Sequence, residues 1–252
     1  MDYEDSFPSA PVRYAFDDSD DDIDSSDLST ATPPNNLSIG LVEPLPQKPC
    51  TLVLGVHAGA SYLNALNTTV IGHITSEEQT SKTKTEADIS TTDDIACISF
   101  PQVEAKDSHM FTKLVFDLPG LQIEKVILLD SFVSTDYTNH VWGENVSPPF
   151  LRVLQTSSTK KIPEINTYEA PNLVKDLSAA LLAHCEMHGI PCYAFFSLQE
   201  SLLGKHIITK DTCTAYSQGL DKLGIQLPVD KDKLAQVLKK GSVDEHHHRL
   251  YL

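Results

Sequence analysis

The chain contains 252 residues, with 19 Lys and Arg against 35 Asp and Glu, so its formal net charge is −16. This balance excludes a nucleic-acid-binding role, because neutralising phosphates requires clustered Lys and Arg, whereas basic partners remain compatible with it. Hydrophobic residues make up 40% of the chain, as in ordinary globular proteins. The apolar runs are strand-sized, well short of the roughly 20 residues that cross a bilayer, so no membrane span is predicted.

The N-terminus and the cysteines indicate the compartment. The first residues are acidic and include no apolar segment, so no secretory signal is predicted. The five cysteines are an odd number, lie mostly in apolar segments and form no C-x-x-C pair, which favours buried thiols over disulfides. These features predict a cytosolic or nuclear protein.

Residues 1–48 are predicted to form a disordered acidic arm. The first thirty residues hold ten acidic side chains and a single basic one, Arg13. Charge repulsion and a high content of Ser, Thr, Pro and Asn leave too little apolar surface to offset the entropy of ordering. The arm is interpreted as a solubilising tail, with an acid-directed kinase substrate around Ser19 as the alternative.

Residues 49–241 are predicted to form one α/β domain. Its first half begins with a strand rich in branched residues, and the polar stretch Ser76–Asp93 is predicted to be a loop because it has no period. The other predicted elements of this half are a helix at Ser61–Leu66 and strands at Thr51–Val56, Thr69–Ile74, Ile95–Phe100, Met110–Phe116 and Lys125–Asp130.

The second half alternates helix and strand more clearly. Apolar and histidine side chains recur at helical spacing before Gly189, and Pro191 prevents the helix from continuing. Asp176 and Ser178 are predicted to cap this helix. A central strand at Cys192–Leu198 and helices at Thr209–Leu223 and Lys231–Lys240 complete the predicted domain, the last helix with Asp230 as its N-cap. Residues 242–252 have no helical period and are predicted to be a flexible tail.

No common catalytic motif is present: the sequence lacks G-x-G-x-x-G, G-x-x-x-x-G-K-[ST], G-x-S-x-G and H-E-x-x-H. The turn Gly55–Ala60 could face an anion with its backbone amides, but glycines after a strand are needed for backbone geometry alone, and that interpretation is favoured. No cofactor is predicted, and the chain is predicted not to be an enzyme.

The histidines are weak candidates for a metal site. The run His246-His247-His248 is interpreted as part of a solvated linker, because three consecutive imidazoles cannot all face one ion in a regular conformation. His184 and His188 lie one helical turn apart but lack a third ligand, so a position at the helix margin is favoured. No metal is predicted.

Three internal segments and the C-terminus resemble one known family. The internal segments are Val126–Asp130 with Thr135–Tyr137, then Ser147–Thr156, then Ala170–Leu182. The C-terminus, Leu250-Tyr251-Leu252, is similar to a hydrophobic-Tyr-any motif. In this combination the chain resembles the proteasome assembly chaperone 1 family, most closely over roughly residues 120–225.

The resemblance implies a three-layer domain with a mostly parallel central sheet, similar to nucleoside-phosphorylase-like domains but without catalysis. It implies a heterodimer with proteasome assembly chaperone 2 that binds 20S proteasome α subunits, promotes α-ring assembly and prevents off-pathway association of α-rings. Leu250, Tyr251 and Leu252 would then enter a pocket between α subunits, where a lysine or backbone amides could capture the terminal carboxylate. The alternatives are an α/β-fold hydrolase or nucleoside-processing enzyme, and an acidic-armed adaptor.

Overall fold

The structure is a computed structural model that describes residues 36–45, 50–77, 83–92, 94–100, 103–139, 146–202 and 205–241. Nine strands form one sheet in these residues. They are β1 (Asn36–Leu41), β2 (Cys50–Val56), β3 (Thr69–Glu77), β4 (Thr83–Thr92), β5 (Ile95–Phe100), β6 (Ile123–Val133), β7 (Leu151–Gln155), β8 (Cys192–Leu202) and β9 (Lys205–Ile207). Five α-helices accompany the sheet. They are α1 (Ala58–Asn64), α2 (Ser108–Phe116), α3 (Asp176–Met187), α4 (Lys210–Lys222) and α5 (Lys231–Gly241).

The sheet is mixed, with its parallel strands in the middle. The strand order is β1-β3-β4-β5-β2-β6-β8-β7, and β9 pairs with β8. Strands β5, β2, β6 and β8 run parallel to one another, whereas β1, β3 and β4 add antiparallel strands at one side and β7 at the other. The carboxyl ends of the four central strands therefore meet at one edge of the sheet, which is where ligands bind in parallel sheets.

Two hydrophobic cores lie on the two faces of the sheet. Alternate residues of a strand point to opposite faces, so Leu52 and Leu54 of β2 pack in one core and Val53 packs in the other. Helices α2 and α3 cover the first core, and α1, α4 and α5 contribute to the second. The predicted fold class, an α/β domain of three layers, is confirmed.

Three local predictions are wrong. Strand β1 lies within residues 1–48, which were predicted to be disordered, and pairs with β3 from Asn36 to Leu41. Strand β4 lies in the stretch Ser76–Asp93 that was predicted to be a loop, and Met110–Phe116 forms most of helix α2 rather than a strand. Residues 1–35 lie outside the described residues, so the prediction for them is untested.

Several predicted helix ends are confirmed by their hydrogen bonds. Thr209 accepts a hydrogen bond from the backbone N–H of Thr212 at the start of α4, and the Asp230 carboxylate accepts from two backbone N–H groups at the start of α5. Gly189 follows α3 with a φ of 65°, the left-handed conformation that favours glycine. In the described part of the chain, no helix is both long and apolar enough to span a membrane.

Candidate functional site

His57 lies at the sharp turn between β2 and α1, at the edge where the parallel strands end. Its φ of 50° and ψ of −114° are unusual for a residue with a Cβ. Among the described non-glycine residues, Asp176 at the start of α3 is the only other one with a positive φ. Such backbone conformations cost about 1 to 3 kcal/mol each and cluster at functional sites.

The glycines flanking His57 let helix and strands approach closely. A Cβ on Gly55 would lie 2.6 Å from the Gly59 carbonyl oxygen, and a Cβ on Gly59 would overlap the Leu129 carbonyl oxygen in β6. The glycines are therefore required by packing, as the sequence predicted for this turn. The spacing G-x-H-x-G places His57 where the G-x-S-x-G pattern of a nucleophile elbow has its serine.

Asp130 is the centre of the hydrogen bonds at this edge. Its buried carboxylate accepts from His57 Nδ1 at 2.9 Å, from the backbone N–H of Ser131 at 2.7 Å and from the hydroxyl of Ser178 at 2.6 Å. Its backbone carbonyl oxygen accepts from the Tyr216 hydroxyl at 2.7 Å. Side chains from α1's turn, α3 and α4 are thereby joined to one residue of β6.

The hydrogen bond to Asp130 fixes the orientation of the His57 ring and the tautomer of its neutral form. A carboxylate only accepts hydrogen bonds, so Nδ1 of His57 donates, and a neutral ring then presents an unprotonated Nε2. The hydrogen bond with Asp130 raises the pKa of His57 above its usual value, and burial opposes the rise. His57 is therefore held in one orientation, with half of its side chain exposed.

The structure corrects the predicted roles of Asp176 and Ser178. Helix α3 begins at Asp176 with Lys175 in the N-cap position, and no side-chain hydrogen bond caps it. Ser178 is buried and donates its hydroxyl to Asp130 instead of to a backbone group of the helix. The partner of Ser178 is distant in sequence, so a local helix pattern could not reveal it.

A cavity of about 350 Å³ opens beside these residues. Its wall includes His57, Asp130, Tyr168, Asp176 and Gln199, which come from five different parts of the chain. Burial, followed by the nearby Asp130 carboxylate, raises the pKa of Tyr168 to about 12, so its hydroxyl stays protonated at neutral pH. Sequence reasoning missed this cavity; the available signals were the G-x-H-x-G spacing and an Asp at the end of a continuously apolar strand.

The histidine candidates on α3 do not form a metal site. The rings of His184 and His188 lie 4.2 Å apart, and His184 stacks on Phe116 at 4.1 Å. Burial and the neighbouring His188 lower the pKa of His184. No group of three or more His, Cys, Asp or Glu able to hold a metal ion occurs in the residues that the structure describes.

The predicted docking residues Leu250, Tyr251 and Leu252 lie outside the described residues, as do His246, His247 and His248. The described structure ends with α5 at Gly241. The structure therefore does not place the predicted tail residues, and it brings together a different set of side chains at the carboxyl ends of β2, β6 and β8.

A family model named PAC1, described as "Proteasome assembly chaperone 4", matches residues 61–252. Two curated relatives carry the name "Proteasome assembly chaperone 1". The relative from Danio rerio is 35% identical over 80 residues, which is 32% of this chain and 29% of that protein. The relative from Nematostella vectensis is 26% identical over 113 residues, which is 44% of this chain and 43% of that protein. The chain thus matches less than half the length of these relatives.

A solved structure supports the fold. The crystal structure of Pyrococcus furiosus PbaB, described as an archaeal proteasome activator, superposes with a TM-score of 0.56 and covers 85% of this chain and 98% of that chain. At 13% sequence identity, this likeness shows a shared fold. Because the PAC1 family model spans residues 61–252, the chain belongs to the PAC1 family of proteasome assembly chaperones, the family to which its sequence was similar.

Proposed function

We propose that this chain is a proteasome assembly chaperone that forms a heterodimer with proteasome assembly chaperone 2 and binds 20S proteasome α subunits. In this role it promotes formation of the α-ring and prevents off-pathway association of α-rings. The observation that carries the proposal is the family match over residues 61–252, which includes the α/β domain from Ser61 in α1 onward and the C-terminal segment.

The proposed docking element is the C-terminal triplet Leu250-Tyr251-Leu252. Leu250 would fill an apolar slot, Tyr251 would add contact area and a hydroxyl, and the terminal carboxylate would meet a lysine or backbone amides. Eleven residues follow Gly241. An extended segment of this length spans at most roughly 40 Å, so the triplet can reach a pocket well away from the domain.

A non-catalytic role is supported by the hydrogen bonds at the strand ends. In an enzyme with a serine nucleophile, the serine hydroxyl is within hydrogen-bond reach of its base. Here the Ser178 hydroxyl donates to Asp130 and the Ser131 hydroxyl donates to Gln199, whereas His57 donates to the Asp130 carboxylate through Nδ1. Ser178 and His57 thus both donate hydrogen bonds to Asp130, and these bonds hold α3 and the turn before α1 against β6. We also propose a cytosolic or nuclear location.

Affinity purification of the full chain from cells, followed by mass spectrometry of the bound proteins, tests the proposed function. We expect α subunits of the proteasome and one chaperone of similar size. The matched control is a chain that lacks Leu250–Leu252, which should retain the second chaperone and lose most of the α subunits. Recovery of neither partner with the full chain would overturn the proposal.

A further inference from the structure

Strand β1 lies at one end of the sheet, and no described residue pairs with its outer edge. Val42, directly after β1, donates its backbone N–H to the carbonyl oxygen of Ile71 at 2.7 Å. Backbone N–H and C=O groups of successive strand residues point to opposite sides, so those of Gly40 and Ser38 also face β3. The backbone groups that point away from the sheet are therefore those of Leu37, Ile39 and Leu41.

The outer edge of β1 lacks the usual devices that prevent strand addition. Its sequence, NLSIGL, contains no charged residue and no proline. Native proteins normally protect an edge strand with charges, proline or a bulge, because its unpaired backbone groups recruit another strand. Ser38 and Gly40 are exposed, and the side chains of Leu37, Ile39 and Leu41 are only half-buried against the first core. An added strand would thus find open backbone groups and apolar side chains to cover.

The opposite edge of the sheet, at β7, is covered by the chain itself. The backbone N–H of Val153 donates to the Asn166 carbonyl oxygen at 3.0 Å, and the backbone N–H of Tyr168 donates to the Val153 carbonyl oxygen at 2.9 Å. These bonds occupy the centre of β7, whereas β1 is open along its length. An assembly through β1 would therefore end at two chains and would not grow into a fibre.

The outward-facing residues of β1 are arranged symmetrically about Ile39. Leu37 and Leu41 lie two residues on either side of it, so two antiparallel copies of β1 can pair in a register centred on Ile39. Leu37 then faces Leu41 of the second copy, Ile39 faces its own counterpart, and each pair can exchange both of its N–H···O hydrogen bonds. The chain has a net charge of −16, but the uncharged β1 sets no like charges opposite one another. Such self-complementarity is what a two-fold interface between identical chains requires.

We propose that β1 is the docking site for a second copy of this chain, which adds its own β1 in antiparallel register centred on Ile39 and joins the two sheets into one. Val42, which is 82% exposed in the single chain, follows β1 directly and lies at the margin of this contact. A strand of six residues is about 20 Å long, so the interface belongs to the small class and its Kd is expected in the micromolar range. The contact involves neither the C-terminal triplet nor α subunits.

Sedimentation equilibrium of the full chain alone tests the pairing. We expect the average mass to rise from that of one chain, 27.7 kDa, toward that of two chains between about 1 and 100 µM. Hydrogen exchange followed by NMR supplies the local signature: the backbone amides of Leu37, Ile39 and Leu41 should exchange more slowly as the concentration rises. The amides of Ser38 and Gly40 face β3 and should not change. A chain that stays monomeric, or protection that does not alternate along β1, would overturn the proposal.

Variants separate the edge of β1 from the rest of the fold. Ile39→Pro removes the N–H at the centre of the pairing, and proline is tolerated on an edge strand where the N–H faces solvent. Ile39→Val is its control, because it keeps that N–H. Gly40→Lys adds a charge at an exposed position with open space around the Cβ, and Gly40→Ala is the uncharged control.

We expect Ile39→Pro and Gly40→Lys each to raise the Kd of the dimer about tenfold or more, and both controls to dimerise like the wild type. Melting temperatures show whether each variant is folded, and Gly40→Lys decides the question if Ile39→Pro is not. Dimers that resist Gly40→Lys as well as they resist Gly40→Ala would contradict pairing through β1.

The second chaperone of the proposed heterodimer is the competing occupant of this edge. If the chain alone stays monomeric, and Gly40→Lys but not Gly40→Ala loses the second chaperone in affinity purification, the edge belongs to that chaperone and pairing with a second copy is overturned. If the chain alone pairs through β1 and no second chaperone is recovered, the pairing is supported while the proposed function fails. The two proposals can therefore fail separately.

Discussion

Gly59 lies where α1 passes closest to β6. An added methyl group would overlap the backbone carbonyl of Leu129, which cannot move without disturbing the central sheet. We expect Gly59→Ala to lower the free energy of unfolding by about 1 to 3 kcal/mol, the usual cost of overpacking a core. Gly40→Ala is the matched control, because nothing lies within 4 Å of its Cβ position. Urea unfolding measures both variants, and equal stabilities would show that the α1 turn has room to adjust.

The pKa of His57 predicts how its contribution to stability depends on pH. The hydrogen bond that His57 donates to Asp130 raises this pKa in the folded chain, so protonation of His57 favours the folded state. The stabilisation should be complete below the unfolded-state pKa of about 6.5, and should be lost as the pH rises through the folded-state value. His57→Gln keeps a Cβ and a polar side chain but does not titrate in this range.

The test compares the free energies of unfolding of the wild type and His57→Gln at about pH 5.5 and about pH 9. We expect the wild type to exceed the variant by more at the lower pH. His57 is half exposed, so solvent screens the interaction and the direction of the change is the decisive result. A difference that stays constant, or grows at the higher pH, would contradict the raised pKa.

Among the helices, α3 packs against the sheet and contributes buried side chains to the first hydrophobic core. Leu177, Leu181 and Cys185 recur at helical spacing, which predicts Leu181 on the buried face of this helix, and the structure confirms that Leu181 is fully buried. Leu181→Ala should therefore lower the free energy of unfolding by about 2 to 5 kcal/mol through lost burial and the cavity left behind. Met187→Ala in the same helix should change stability by less than about 0.5 kcal/mol, because Met187 is exposed. Thermal or urea unfolding distinguishes the two variants.

Strand β1 begins at Asn36, so the folded domain begins earlier in the chain than the sequence predicted. Its pairing with β3 and the buried Leu45 after it belong to the folded domain. We expect a chain that starts at residue 36 to keep the melting temperature of the full protein. A chain that starts at residue 50 loses β1 and Leu45, and should melt lower by roughly 5 °C or more, the effect of losing about 2 kcal/mol in a domain of this size. Equal melting temperatures for the two chains would show that β1 contributes nothing.

The elements that the sequence predicted correctly are those with a strong local pattern. The apolar runs Leu52–Leu54 in β2 and Val126–Leu129 in β6 favour buried strands, and the spacing of apolar residues in α3 favours a helix. Strand β4 was missed because its core-facing side is small, with only Ala87 and Ile89 buried among hydrophobic residues of a Thr-rich segment. Helix α2 was predicted to be a strand because Phe and Val favour strands, yet Phe111 and Val115 are four residues apart and share one buried face.

The candidate site was harder to predict than the elements. The contacts of Asp130 with His57 and Ser178 join residues 73 and 48 positions apart in the sequence, and only the strand order brings them together. The sequence showed glycines around His57 and a carboxylate, Asp130, at the end of the apolar run of β6, but neither pattern indicates a shared cavity. The C-terminal triplet is proposed to dock in a partner's pocket, and no pattern within the chain determines the conformation it would adopt there.

In the whole molecule, the proposed function assigns α-ring binding to the C-terminal triplet and stability to the folded domain. Tyr251→Ala, or deletion of Leu250–Leu252, removes groups whose proposed contacts are all made with the partner. We expect affinity for α-rings to fall by about 2 kcal/mol or more, roughly 30-fold, as at an interface hot spot. The melting temperature should not change, because the described domain ends at Gly241 and its core contacts lie before that residue.

Extension of the chain provides the sharper version of this experiment. One residue added after Leu252 keeps every side chain but displaces the carboxylate by about 3.5 Å, so it loses its counter-charge and should weaken α-ring binding as deletion does. Ser242→Ala, a change in the same segment that spares the triplet, should bind like the wild type. Binding to the second chaperone should survive in all variants, since that interface is proposed to lie on the folded domain. Wild-type affinity of the extended and truncated chains for α-rings, measured by surface plasmon resonance, would contradict docking through the C-terminus.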